Sequence, residues 1–171
     1  ENMVFNQHFC DKEAFNACLH PFIRNAVGSM EFGGCFLNKR LNRNNDGGTT
    51  RRTTDIFQLA TTVLFQNPVQ NFALAPNNLK DVSPVCMDYM KKIPTTWDEA
   101  CFIDGYPGKY VVLARRHGGT WYVAAINAGK ETLKLKLDLE MFAGKTVSLY
   151  KDDKKGEPQL VPLKVKENGK V

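Results

Sequence analysis

The pattern of this chain changes between Pro94 and Trp97, and that change limits what it can fold into. Up to Pro94, short apolar runs alternate with helix-like stripes. From Trp97 onward, strand follows strand. All five cysteines (Cys10, Cys18, Cys35, Cys86 and Cys101) precede residue 102, and the last 70 residues have none.

In the first part, Pro21–Val27 is a short apolar run ended by Gly28-Ser29 and reads as a buried strand. A polar loop rich in Asn and Gly, residues 42–48, follows. Thr54 or Asp55 can cap a helix whose Ile56, Phe57, Ala60, Val63 and Leu64 fall at helical spacing, and Asn67-Pro68 stops it. Residues 71–75 read as a second buried strand. Ser83-Pro84 is a helix start, with Val85, Cys86, Tyr89, Met90 and Ile93 on its inner face. Strands alternating with helices imply a parallel α/β sheet. Two such units cannot close a (β/α)8 barrel, which needs about 250 residues.

In the second part, residues 109–115 and 121–127 read as strands joined at Gly118-Gly119. Residues 132–139 alternate strictly, with Leu133, Leu135, Leu137 and Leu139 on one face and Lys134, Lys136 and Asp138 on the other. Burying such a face at roughly 1.5–3 kcal/mol per Leu requires a facing sheet. Residues 146–151 and 160–166 supply further strands. Short strands divided by Gly turns indicate an antiparallel β-sandwich.

The formal net charge is +5, +2 before residue 96 and +3 after it. That excess is too small and too spread for a nucleic-acid groove, and no apolar run is long enough to span a membrane. The chain begins without Met, and its first residues have neither a basic nor an apolar leader region.

Catalytic signals are sparse. The cysteines show no zinc spacing. A metal site from Cys10, Cys18 and His20, or a nucleophilic Cys35, is conceivable, but buried free thiols explain the same residues more simply. Glu31 follows the expected strand 22–27 beside Gly33-Gly34, where residues of an α/β barrel line the site mouth and bind substrate. A solvated loop glutamate is the plainer alternative. Trp97, Tyr106 and Trp121 could stack on sugars, or divide between core and surface.

The run Pro21-Phe22-Ile23-Arg24, followed by Gly28-Ser29-Met30-Glu31-Phe32, resembles a segment of glycoside hydrolase family 97. Residues 58–73 resemble its next helix and strand. Pro94-Thr95-Thr96-Trp97-Asp98-Glu99 and Asp104-Gly105-Tyr106-Pro107-Gly108-Lys109-Tyr110 are similar to its later signatures, which Ala114-Arg115-Arg116 and Trp121-Tyr122-Val123 continue. The resemblance implies an α-glucosidase or α-galactosidase that cleaves oligosaccharides in the periplasm with a calcium ion at its site. Residues 1–95 would then be the end of the catalytic (β/α)8 TIM barrel, and residues 96–171 the C-terminal β-sandwich. The chain would need the rest of the parent enzyme as partner and would be inactive alone. Its C-terminus would stop one strand short of the family's usual end. The resemblance also implies that Glu1 matches a calcium ligand and that Gln7 stands at the position of a general-acid Glu. An amide has no titratable proton and cannot serve as that acid, so no catalytic residue is assigned within the chain. The alternative is a non-catalytic β-sandwich that binds carbohydrate or forms a homo-oligomer.

Overall fold

The computed structural model describes residues 6–32, 35–37, 49–74 and 76–171. Glu1, Gly33-Gly34 and the 42–48 loop lie outside the described residues.

The chain opens with three short helices, α1 (Gln7–Asp11), α2 (Glu13–Ala17) and α3 (His20–Ile23). The segment expected as a strand at 22–27 is therefore the end of α3 and a turn. Pro21 sits in the first turn of α3, where its missing N–H removes no helical bond. Arg24 and Asn25 both donate their N–H to the His20 carbonyl, which curls the chain away from an extended path. Nor is the run uniformly buried, since Val27 is 89% exposed.

Strand β1 (Cys35–Phe36) pairs in parallel with β2 (Phe72–Ala73), in register Cys35↔Phe72. Between them runs α4 (Asp55–Leu64), so β1–α4–β2 is one parallel βαβ unit. The parallel partner of the 71–75 segment is thus 35–36 and not 22–27. Thr54 caps α4 by accepting the Phe57 N–H at 3.2 Å, and Asp55 stands in the positive first turn. A 3-10 turn (Pro76–Asp81) leads to α5 (Pro84–Met90), where Ser83 accepts the Val85 N–H at 3.3 Å and Pro84 occupies the first position.

Helix α4 is shared by two apolar cores. Leu59 packs with Cys35, Leu37, Val82 and Cys86. Val63 and Leu64 pack with Val111, Ala124 and Ile126 from the β-rich part.

The second part holds two antiparallel sheets, as the β-sandwich expectation requires. Strands β3 (Glu99–Tyr106), β4 (Tyr110–His117) and β5 (Thr120–Asn127) form one sheet in the order β3-β4-β5. Strands β6 (Thr146–Asp152) and β7 (Pro158–Lys164) form the other. The inner face of the three-stranded sheet packs on α4 and Phe65. Gly108 makes the β3–β4 turn at φ +73°, and a Cβ there would meet the Phe15 ring at 2.6 Å.

The expected strand 132–139 is not regular. Residues 132–137 carry no ladder, and Asp138 alone bridges to Lys170. The Leu137 N–H reaches the Val171 carbonyl at 3.1 Å and the Leu139 N–H the Gly169 carbonyl at 2.8 Å. Pairing therefore covers only the last turn of the segment. Leu139 is buried there, while Leu133 is exposed, with no ladder partner among the described residues.

Candidate functional site

A buried polar cluster lies at the N-terminus of α4. Glu13 is 7% exposed and Gln58 is fully buried. Gln58 donates its Nε2 to Glu13 Oε1 and to Thr53 Oγ1, the latter at 2.8 Å. Thr53 in turn donates to Glu13 Oε2 at 3.0 Å. Burial pushes the Glu13 carboxyl above its ordinary range, against the lowering influence of Gln58, Thr53 and nearby Arg51. Arg51 pairs with Asp55 one helical turn on and reaches the Leu37 carbonyl at 3.5 Å.

Asp152, at the end of β6, joins this cluster from the other half of the chain. Its Oδ2 accepts the Thr54 hydroxyl at 2.7 Å, and its Oδ1 is buried without a hydrogen-bond partner. Burial raises the Asp152 pKa, the Thr54 hydrogen bond lowers it, and the Asp55 charge raises it further. A carboxyl held above its usual range is a candidate acid. Here both Glu13 oxygens are already taken by protein donors, so the cluster acts as a tie between elements.

Arg115, outside this cluster, is also a buried charge, 4% exposed. It donates to the Leu64 carbonyl at 3.3 Å, at the negative end of α4. Burial lowers its pKa.

Glu1, the expected calcium ligand, lies outside the described residues. Among the described residues no three metal-ligating side chains come together, so they do not by themselves form a calcium site, and Cys10, Cys18 and His20 make none. Gln7 is held as an amide. Its Oε1 accepts the Thr50 N–H at 2.9 Å, and its Nε2 donates to the Thr50 carbonyl and to Asp11, both at 3.0 Å. Asp11 also accepts Arg52 Nε at 2.7 Å, and this pair, with Gln7, holds the Asp11 carboxyl below its ordinary range. Glu31 is exposed between buried Met30 and Phe32. The Met30 N–H bonds the Gln66 carbonyl at 2.9 Å, so Glu31 points outward from a fixed extended segment that precedes β1. Among the described residues Gln7 and Glu31 share no hydrogen bond.

Burial raises the Cys18 thiol to about 11 and the Cys86 thiol to about 12, and pushes Cys35 up as well. Such thiols are poor nucleophiles. Of the three aromatic candidates, Trp97 packs edge-on against Tyr122 at 5.4 Å and Trp121 is half-buried. Tyr106 is exposed, and Lys109 Nζ sits 4.5 Å above its ring.

Glu13 and Asp152 were not marked by any sequence motif, and Arg115 entered only within the Ala114-Arg115-Arg116 signature, with no role of its own. Their partners stand far away in sequence, which no local pattern shows.

Residues 96–170 match the family model described as glycosyl-hydrolase 97 C-terminal, oligomerisation. A probable retaining α-galactosidase of Streptomyces bingchenggensis is 33% identical over 111 residues, 64% of this chain and 16% of that protein. A retaining α-galactosidase of Bacteroides thetaiotaomicron is 31% identical over 134 residues, 74% of this chain and 19% of that protein. The chain thus spans less than a fifth of the length of the curated relatives it matches. A crystal structure of a β-arabinopyranosidase is 86% identical, with a TM-score of 0.97 over 99% of this chain and 27% of that one. The motifs of residues 21–32 and 94–123, the antiparallel sheets and these matches agree: the chain belongs to glycoside hydrolase family 97, and residues 96–170 carry its C-terminal domain.

Proposed function

We propose that this chain is the C-terminal part of a retaining glycosidase that releases β-arabinopyranosyl or α-galactosyl units from oligosaccharides. One observation carries the reading: the 86% identity to a β-arabinopyranosidase over nearly the whole chain. The α-galactosidase relatives support the same stereochemistry. A β-L-arabinopyranosyl ring has the hydroxyl configuration of an α-D-galactopyranosyl ring and lacks only its hydroxymethyl group. An α-glucosyl ring differs at the C4 hydroxyl, so the reading favours galacto over gluco substrates.

In this proposal residues 1–95 belong to the catalytic (β/α)8 barrel and residues 96–171 to the β-sandwich. The parallel β1–α4–β2 unit supports the first assignment. Glu31 faces the substrate. Calcium is held in the parent with Glu1 as one ligand. A single carboxylate cannot supply the six to eight oxygens that calcium takes, so the remainder come from outside this chain. A periplasmic location rests on the family resemblance.

The 171-residue chain alone is expected to be inert, because Gln7 cannot donate a proton as an acid and no other carboxyl of the described cluster is open to a sugar. Assaying the chain and the longer parent side by side on p-nitrophenyl glycosides tests this. Turnover by the chain alone would overturn it.

A second reading concerns assembly. The family description of residues 96–170 names oligomerisation, which favours a module that joins copies of the parent.

A further inference from the structure

We propose that Asn168 is a site of self-modification. Its carboxamide closes onto the Gly169 nitrogen, loses ammonia and reopens as an isoaspartyl linkage that unclips residues 137–139 from residues 169–171. The proposal is independent of the glycosidase reading.

Asn168-Gly169 is the only Asn-Gly pair in the sequence. Glycine has no Cβ to crowd its nitrogen, so Asn168 is the asparagine most open to attack by the amide that follows it. The step needs no co-reactant but water. The deprotonated Gly169 nitrogen bonds to Asn168 Cγ, the Cγ–Nδ2 bond breaks, and ammonia leaves with the proton from Gly169. Water then opens the resulting succinimide at either carbonyl. One product is aspartate. The other is isoaspartate, in which the chain runs through the former side chain and is longer by a methylene.

The fold prepares the reacting groups. The Lys170 N–H donates to Asn168 Oδ1 at 3.2 Å. That bond folds the carboxamide back over the Gly169 peptide and sets a donor on the oxygen where negative charge develops during attack. The Gly169 N–H donates to the Lys166 carbonyl at 2.9 Å and must leave it. The same carbonyl accepts the Gly144 N–H at 3.1 Å, so it keeps a partner when Gly169 departs.

The isoaspartyl product does not fit where the asparagine did. Gly169 is pressed against the 3-10 turn Glu140–Phe142. A Cβ on it would lie 3.0 Å from Glu140 Cα and N and 3.2 Å from Asp138 Oδ1. A backbone lengthened just before Gly169 finds no slack there. The bonds at stake are the Leu139 N–H to the Gly169 carbonyl at 2.8 Å and the Leu137–Val171 pair at 3.1 and 3.2 Å. With the Asp138–Lys170 bridge they form the clip that carries buried Leu139.

Incubating the 171-residue chain at mildly alkaline pH tests the chemistry, with peptide mapping and an isoaspartyl methyltransferase as reagent. Amide hydrogen exchange on the modified and unmodified fractions tests the clip. Isoaspartate is expected at Asn168 before any other asparagine reacts. The modified fraction is expected to lose protection at Leu137, Leu139 and Val171 by about tenfold or more. Asn168→Asp carries the new charge on a backbone of unchanged length and is expected to keep wild-type protection. A folded chain left unmodified at Asn168 would overturn the proposal, and its modification in urea would show the turn to be a shield instead. Isoaspartate without loss of protection would overturn the unclipping, as would an equal loss in Asn168→Asp.

Discussion

The Thr54 hydroxyl donates to the Asp152 carboxylate at 2.7 Å and accepts the Phe57 amide at 3.2 Å. One side chain thereby starts α4 and fastens the β6–β7 sheet to it, across 98 residues of sequence. Thr54→Ala removes both bonds and leaves Asp152 with neither oxygen satisfied by that partner. It is expected to lower stability by about 1–3 kcal/mol. Thr54→Ser keeps the oxygen and is expected to stay close to wild type. Urea denaturation of the two variants separates these outcomes.

Glu13 gives a pH dependence with a definite sign. Burial raises its pKa in the folded state above the ordinary glutamate range. The folded chain therefore binds this proton more tightly than the unfolded chain does. Its stabilising contribution is fully present below the unfolded value and is lost as pH rises through the raised folded value. Asp152, also raised by burial, acts in the same direction. Asp11 is depressed by Arg52 and Gln7 and acts oppositely, its contribution falling away as pH drops. Glu13→Gln is expected to flatten the loss as pH rises above the ordinary glutamate range, read from melting temperatures across a pH series. An unchanged slope would remove Glu13 as its source.

The Gln7 amide is expected to be irreplaceable by a carboxylate. Gln7→Glu keeps an acceptor for the Thr50 N–H but loses the donor to the Thr50 carbonyl and brings a second negative charge to Asp11. A loss of about 1–2 kcal/mol is expected, with no gain of hydrolase activity in the longer parent. Denaturation and a nitrophenyl assay check the two parts.

Gly108→Ala is expected to cost more than about 1 kcal/mol. The position has φ +73°, and its new Cβ would drive into the Phe15 ring. Gly119→Ala, with open space around it, is the comparison.

Much of the fold was legible because local signals agreed with tertiary packing. Helix α4 had a capping Thr54 and a stripe at helical spacing, and α5 had Ser83-Pro84. Strands β4, β5, β6 and β7 stood out as β-branched or alternating runs. The misreadings have physical causes. A short apolar run such as Pro21–Val27 looks the same in a buried strand and in a helix end. Strand β3 is obscured by a bulge between Phe102 and Asp104 and by Gly105 within it. The four-leucine alternation of 133–139 was real, but alternation cannot supply the neighbouring strand that would pair with it. At the site, the family resemblance placed Gln7 and the position after an expected strand placed Glu31 as candidates, while Glu13 with Gln58 and Thr54 with Asp152 meet only through folding, 45 and 98 residues apart. The proposed arabinopyranoside preference rests on whole-chain similarity and on no motif.

The most direct measurement is the specificity of the longer parent, as kcat/KM on p-nitrophenyl β-L-arabinopyranoside, α-D-galactopyranoside and α-D-glucopyranoside. The account expects the first two to be cleaved with the glucoside at least a hundredfold worse. A parent that prefers the α-glucoside, or cleaves none of the three, would contradict it.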